Sequence, residues 1–83
     1  MLKENVKAKV IVIDFENKKG WKIYHNEDLY ENIEIKDSRF WNDVQNGYYR
    51  FIRGTTLVAD IDCPWKIEEP LKILKVHEVI YSD

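Results

Sequence analysis

Asp60 and Asp62 stand two residues apart, so on a strand both carboxylates project from one face. With Asp14 or Glu16 on a neighbouring strand they would make an oxygen shell of the kind that holds Mg²⁺. A phosphoryl-transfer site also needs a positioned Lys or His and a shaped cleft. Neither is marked in the sequence, so the acidic pair reads first as an outward polar face. His25 and His77 are candidate general bases, and Cys63 with His77 is a candidate nucleophilic dyad. Only Lys66 lies close in sequence to favour a thiolate at Cys63, while Asp60 and Asp62 disfavour one. The expectation is therefore a chain with no catalytic residue, no cofactor and no enzymatic activity.

Two further groups carry binding chemistry. Tyr48 to Arg53 interleaves aromatic rings with Arg50 and Arg53, the combination on which single-stranded nucleic acid stacks its bases while guanidinium groups meet phosphate. Lys7, Lys9, Lys18 and Lys19 would have to converge with Tyr49, Arg50 and Arg53 to make a groove. Charge is segregated along the chain: residues 1 to 22 sum to about +3, 23 to 49 to about −4, 50 to 53 to about +2 and 54 to 70 to about −3. The other group is the tryptophans. Trp41 adjoins Phe40, so one of the two packs inward and the other leans outward; Trp65 stands in a loop between Pro64 and Lys66. A chain with three Trp, five Tyr and three Phe has little core in which to hide them all. Surplus aromatics at an interface are expected, with Trp65, Trp41 and Tyr30 as the contact residues and a protein partner or a second copy as the occupant.

Composition narrows the classes. At 10.0 kDa the chain holds one domain, residues 1–83. A net charge of −2 lacks the basic footprint of a general duplex-DNA binder, and 45% hydrophobic residues exclude disorder. A single cysteine closes no intramolecular disulfide, and two histidines supply no zinc-ligand spacing. The longest apolar run, Val10 to Ile13, is far short of a membrane span, and the first residues lack the apolar stretch of a signal peptide. A cytoplasmic setting without membrane contact is the expectation.

The elements that must position these groups are mostly strands. Val6 to Phe15 reads as the first, Glu16 to Gly20 as a turn, and Trp21 to Tyr24 as the return strand of a hairpin. Tyr30 to Lys36 alternates as a third strand. Asp37 and Ser38 are both N-cap residues, Phe40, Trp41 and Val44 recur at near-helical spacing, and Asn46-Gly47 ends the pattern, predicting a helix over Ser38 to Gln45 that lies on the sheet or plugs the mouth of a barrel. Tyr48 to Ile52 is a short aromatic strand, turned at Gly54 into a cleanly alternating one over Thr56 to Asp62. Cys63 to Pro70 is a surface loop. In Leu71 to Tyr81 the apolar parity changes after Ile73 and again at Val79, predicting either a bulged strand or one buried on both faces.

Trp21-Lys22, Ile35-Lys36-Asp37-Ser38-Arg39-Phe40, Phe51-Ile52-Arg53-Gly54-Thr55-Thr56-Leu57 and Leu74-Lys75-Val76 stand in the order of a known pattern. Over about two thirds of its length the chain thereby resembles a small β-rich module found at the C-terminal ends of uncharacterised bacterial and phage-borne proteins. It departs from that pattern at Thr55, where the module has Asp, and at Cys63-Pro64-Trp65, which replaces a Gln-containing stretch. The resemblance implies an accessory module and brings no catalytic residue. The fold expected is all-β: a small, partly open barrel, SH3-like or OB-like, of five or six strands with one short helix. The function expected is interaction through protein contacts, with single-stranded nucleic-acid binding as the alternative.

Overall fold

The computed structural model describes residues 1–52, 54–66 and 68–81. Its strands are β1 (Leu2–Val12), β2 (Lys22–His25), β3 (Asp28–Tyr30), β4 (Ile33–Ile35), β5 (Thr56–Asp62) and β6 (Leu71–Ile80), with one helix, α1 (Ser38–Gln45), between β4 and β5. They form one sheet in the order β3-β2-β1-β5-β6-β4, antiparallel except where β4 runs parallel to β6. The two strands at the sheet's ends are neighbours in sequence. From Tyr30 to Ile33 the chain takes three peptide steps, a span of at most about 11 Å, so the end of β3 and the start of β4 stay close and the sheet curls into a half-barrel. That curl is why Tyr30 to Lys36 is not one strand. The alternation runs on through Glu31 and Asn32, but there the backbone leaves one edge of the sheet and joins the other.

The concave face carries Ala8, Val10, Ile23, Ile33, Ile35, Leu57, Ala59, Ile61, Leu71 and Ile73, all buried. Bulges adjust which side chains reach it. In β6 the registers skip a residue at Leu74 and another at His77. The inward positions therefore run Ile73, Val76, Val79 at intervals of three rather than two, and of the two alternatives for this segment the bulged strand is the one realised. In β1 the extra residue lies between Lys3 and Val6, where Asn5 takes φ 52°. This bulge lets β1 begin at Leu2 instead of Val6. At its other end β1 stops at Val12 because Asp14 Oδ1 accepts the Glu16 and Asn17 N–H groups at 2.9 and 3.0 Å, folding Ile13 to Phe15 out of the ladder.

Helix α1 spans the predicted residues. Asp37 Oδ1 accepts the Phe40 N–H at 3.0 Å as the N-cap, and its Oδ2 accepts the Val76 N–H at 2.9 Å, so one carboxylate both starts the helix and ties it to β6. At the other end Gly47, at φ +73°, donates to the Val44 carbonyl, and Tyr48 donates to Asp43. Those bonds tie the segment from Tyr48 to Ile52 to the helix at one end, the Thr55 turn ties it at the other, and it is irregular rather than the predicted strand. Its rings still pack. Phe51 stands 5.3 Å from Trp21 and 6.0 Å from Phe40, and Trp21 in turn meets Phe40 and Trp41 edge-on. Trp21 is fully buried, and its indole N–H donates to the Asp14 carbonyl at 2.8 Å.

Candidate functional site

Of the three tryptophans only Trp65 is on the surface, 80% exposed against 0% for Trp21 and 7% for Trp41. The expectation that Trp41 contacts a partner is thus corrected. Trp41 and Phe40 both turn inward, each packing edge-on against the buried Trp21, at 6.4 and 6.2 Å between ring centroids. Trp65 follows β5 at the end of the barrel opposite to this cluster, in the loop that leads into β6. Beside it runs the corner where the chain crosses from β3 to β4. A groove of about 730 Å³ lies between them, lined by Leu29, Tyr30, Pro64 and Trp65.

The groove has a defined backbone. Asn32 Nδ2 donates to the Glu68 carbonyl at 3.1 Å, Leu71 N–H donates to the Asn32 carbonyl at 2.9 Å, and Glu69 N–H closes a turn onto Lys66 at 3.0 Å. These bonds pin the loop to the corner. Asp28, Glu31, Glu68 and Glu69 rim the groove, against Lys66 as the one cationic side chain in its lining. The two acidic stretches of the sequence, which are separate along the chain, therefore meet around the exposed ring. Tyr30 is half-buried. Burial foremost, then the neighbouring Cys63 and Asp28, hold its hydroxyl above the ordinary phenol range, so it is a neutral O–H at physiological pH.

The other sequence-predicted residues disperse. Asp60 accepts from the Asn5 N–H at 3.0 Å and from His77 Nε2 at 2.9 Å; the Asn5 bond first and the His77 bond second hold its carboxyl below the usual range. Asp62 meets the Met1 ammonium at 2.9 Å. Asp14 and Glu16 lie beyond the Thr56 end of the β1–β5 ladder, with Asp60 and Asp62 toward the other end, so neither joins the Asp60–Asp62 pair in a shell. Among the described residues no three His, Cys, Asp or Glu side chains stand together as metal ligands. Cys63 is buried at the end of β5, while His77 pairs with Asp60 on the convex face, and the Cys63–His77 dyad does not form either. His25 is buried with Nδ1 3.0 Å from the Lys7 carbonyl, which makes Nδ1 the hydrogen-bearing nitrogen; among the described residues its Nε2 has no partner.

The basic and aromatic residues of the nucleic-acid alternative sit on separate elements. Lys7 and Lys9 project from β1, with Lys9 between Tyr24 and Thr56. Lys18 and Lys19 belong to the loop before β2, and Lys19 lies near enough to Glu34 on β4 to help lower its carboxyl, after the larger effect of Lys36. Arg50 is exposed, Tyr49 is tilted against Phe40 and Phe51 at 5.5 Å, and Arg53 lies outside the described residues. A second cleft of about 760 Å³ between α1 and β6 carries Arg39, Tyr48, Lys75 and His77, but also Asp37 and Asp43. No helix among the described residues is long and apolar enough to cross a membrane. No family model, curated protein or solved structure matches this chain.

Leu29, Pro64 and the four rim carboxylates were not singled out in the sequence. The signal for the carboxylates was the negative sum of residues 23 to 49 and 54 to 70; Leu29 and Pro64 had none, since their part depends on which loop the barrel corner faces.

Proposed function

We propose that this chain is a non-enzymatic docking module that holds a positively charged segment of a partner protein in the Tyr30–Trp65 groove. The observation that carries the reading is the 80% exposure of Trp65 over a groove whose other walls are Tyr30, Leu29 and Pro64. A large ring left in water is costly to the free protein and becomes a binding anchor once covered, which is why Trp is enriched among the residues that dominate interfaces. The acidic rim supplies the charge preference. Single-stranded nucleic acid draws less support: Tyr49 and Phe51 pack against the core cluster, which leaves Tyr48 as the exposed ring of its segment, and its lysines are divided between β1 and the loop before β2.

Panning a random peptide library on the full chain tests the reading. Wild-type protein is expected to enrich peptides that the Trp65→Ala protein does not, and those peptides should bear Lys or Arg. Absence of enrichment, or equal enrichment by Trp65→Ala, overturns it.

A further inference from the structure

Resting on that docking reading, we infer that the groove recognises an extended, proline-containing segment flanked by Lys or Arg, bound as a polyproline II helix. Three features separate this ligand from other peptide conformations. First, the apolar lining is small. Among the described residues that line the groove, Leu29, Tyr30, Pro64 and Trp65 are the apolar and aromatic ones, and the rest are polar or charged. An amphipathic helix needs a wide trough for anchors on successive turns, whereas a polyproline II ridge presents a slim apolar edge made of proline rings.

Second, the backbone beside the groove is largely committed. The Asn32 carbonyl is taken by Leu71 and its side chain by Glu68, and β3, the edge strand here, is three residues long. Strand addition would find a very short unpaired edge. A polyproline II segment asks for no ladder. Its own carbonyls are free, and each is an acceptor for a side-chain donor. Trp65 is placed to supply one, because among the described residues its indole N–H has no protein acceptor, unlike that of Trp21.

Third, the charges fit. Asp28 and Glu31 come from β3 and the corner, and Glu68 and Glu69 from the β5–β6 loop, and all four line the groove. Cationic residues flanking the proline ridge have these carboxylates to meet, and Arg can do so in bidentate form. A pre-extended ligand also loses little conformational entropy on binding, so a groove this small suffices for a weak, specific contact.

The probes are three synthetic peptides titrated into the full chain: repeated Pro-Pro-Arg triplets, the same peptide with Gly-Ser in place of Pro-Pro, and the same with Glu in place of Arg. Binding is read from tryptophan emission and backbone amide shifts. The Pro-Pro-Arg peptide should shift amides of Leu29, Tyr30, Trp65 and Glu68, bind about tenfold or more tightly than the Gly-Ser-Arg peptide, and lose about thirtyfold with Trp65→Ala. The joint change Glu68→Gln, Glu69→Gln should weaken binding several-fold and flatten its salt dependence, and the Pro-Pro-Glu peptide should not bind. Equal binding of the two Arg peptides overturns the proline requirement, and shifts confined to Arg39, Tyr48 and Lys75 overturn the site. If panning yields Trp65-dependent peptides while Pro-Pro-Arg gives no shift at millimolar concentration, the inference fails and the docking reading stands. Failure of both experiments removes the docking reading itself.

Discussion

Trp65→Ala and Trp41→Ala should have opposite consequences, and their difference can be worked from burial. A buried Trp covers up to about 250 Å², and apolar area removed from water stabilises by about 25 cal/mol per Å². Trp65 is 80% exposed, so about a fifth of it is covered. Its removal therefore costs about 1 kcal/mol. Trp41 is 7% exposed and packs edge-on against Trp21 at 6.4 Å, so its removal costs about 3 to 5 kcal/mol. The whole chain of 83 residues should hold about 4 to 12 kcal/mol. In a domain of this size each kcal/mol moves Tm by about 4 to 8 °C. Trp65→Ala should then melt within about 8 °C of the parent, and Trp41→Ala should fall by about 12 °C or more or fail to fold. Unfolding in urea followed by backbone circular dichroism checks this, since fluorescence would lose its own reporter. Acrylamide should quench wild type strongly and Trp65→Ala weakly, because only Trp65 is open to solvent. A loss above about 2 kcal/mol for Trp65→Ala would put that ring in the core and refute the reasoning.

Asp37→Ala removes both the helix cap and the acceptor for Val76 N–H, and should cost about 2 to 4 kcal/mol in urea unfolding, more than a cap alone. A loss of only a few tenths would mean that the β6 tie is not made. At Gly20 an added Cβ would fall 2.5 Å from Asp14 Oδ2 and 2.7 Å from Asp14 Cβ. Gly20→Ala should destabilise by about 1 to 3 kcal/mol, and by under about 0.5 in an Asp14→Gly background, a coupling read by a double-mutant cycle. Asp60, whose carboxyl is held low by the Asn5 N–H and His77, contributes stability that is present above the ordinary Asp pKa and lost as pH falls through the lowered one. Melting scans should accordingly show Asp60→Asn below wild type at pH 6 and the two converging as pH drops beneath about 4.

What could be read from the sequence was what neighbours along the chain decide. The helix over Ser38–Gln45 was legible at both ends because its cap, Asp37, and its terminator, Gly47, lie next to it. Thr56–Asp62 was legible because one face is core and the other is not, so its alternation is unbroken. The final strand's changes of parity were real marks of bulges. By contrast, Tyr48 to Ile52 has the aromatic and branched residues of a strand, but the helix C-cap holds Tyr48 and the Thr55 turn holds Ile52, so the segment is fixed at both ends outside the sheet.

The groove lies at the far end of that scale. Trp41 stands at helical spacing beside Phe40 and Trp65 in a loop beside Pro64, but neither setting decides by itself how far the ring is covered. The choice is made by the curl of the sheet: once the chain crosses from β3 to β4 through Glu31 and Asn32, the helix end of the half-barrel is filled by Trp21, Phe40, Trp41 and Phe51, and Trp65 is left at the other. The same curl joins two acidic stretches some forty residues apart into one rim. Charge that reads as solubilising along the chain becomes a preference for cations only in three dimensions. For this reason the functional proposal rests on Trp65 together with Asp28, Glu31, Glu68 and Glu69, and substitutions that open the corner at Asn32 should abolish docking even though Asn32 itself carries no charge.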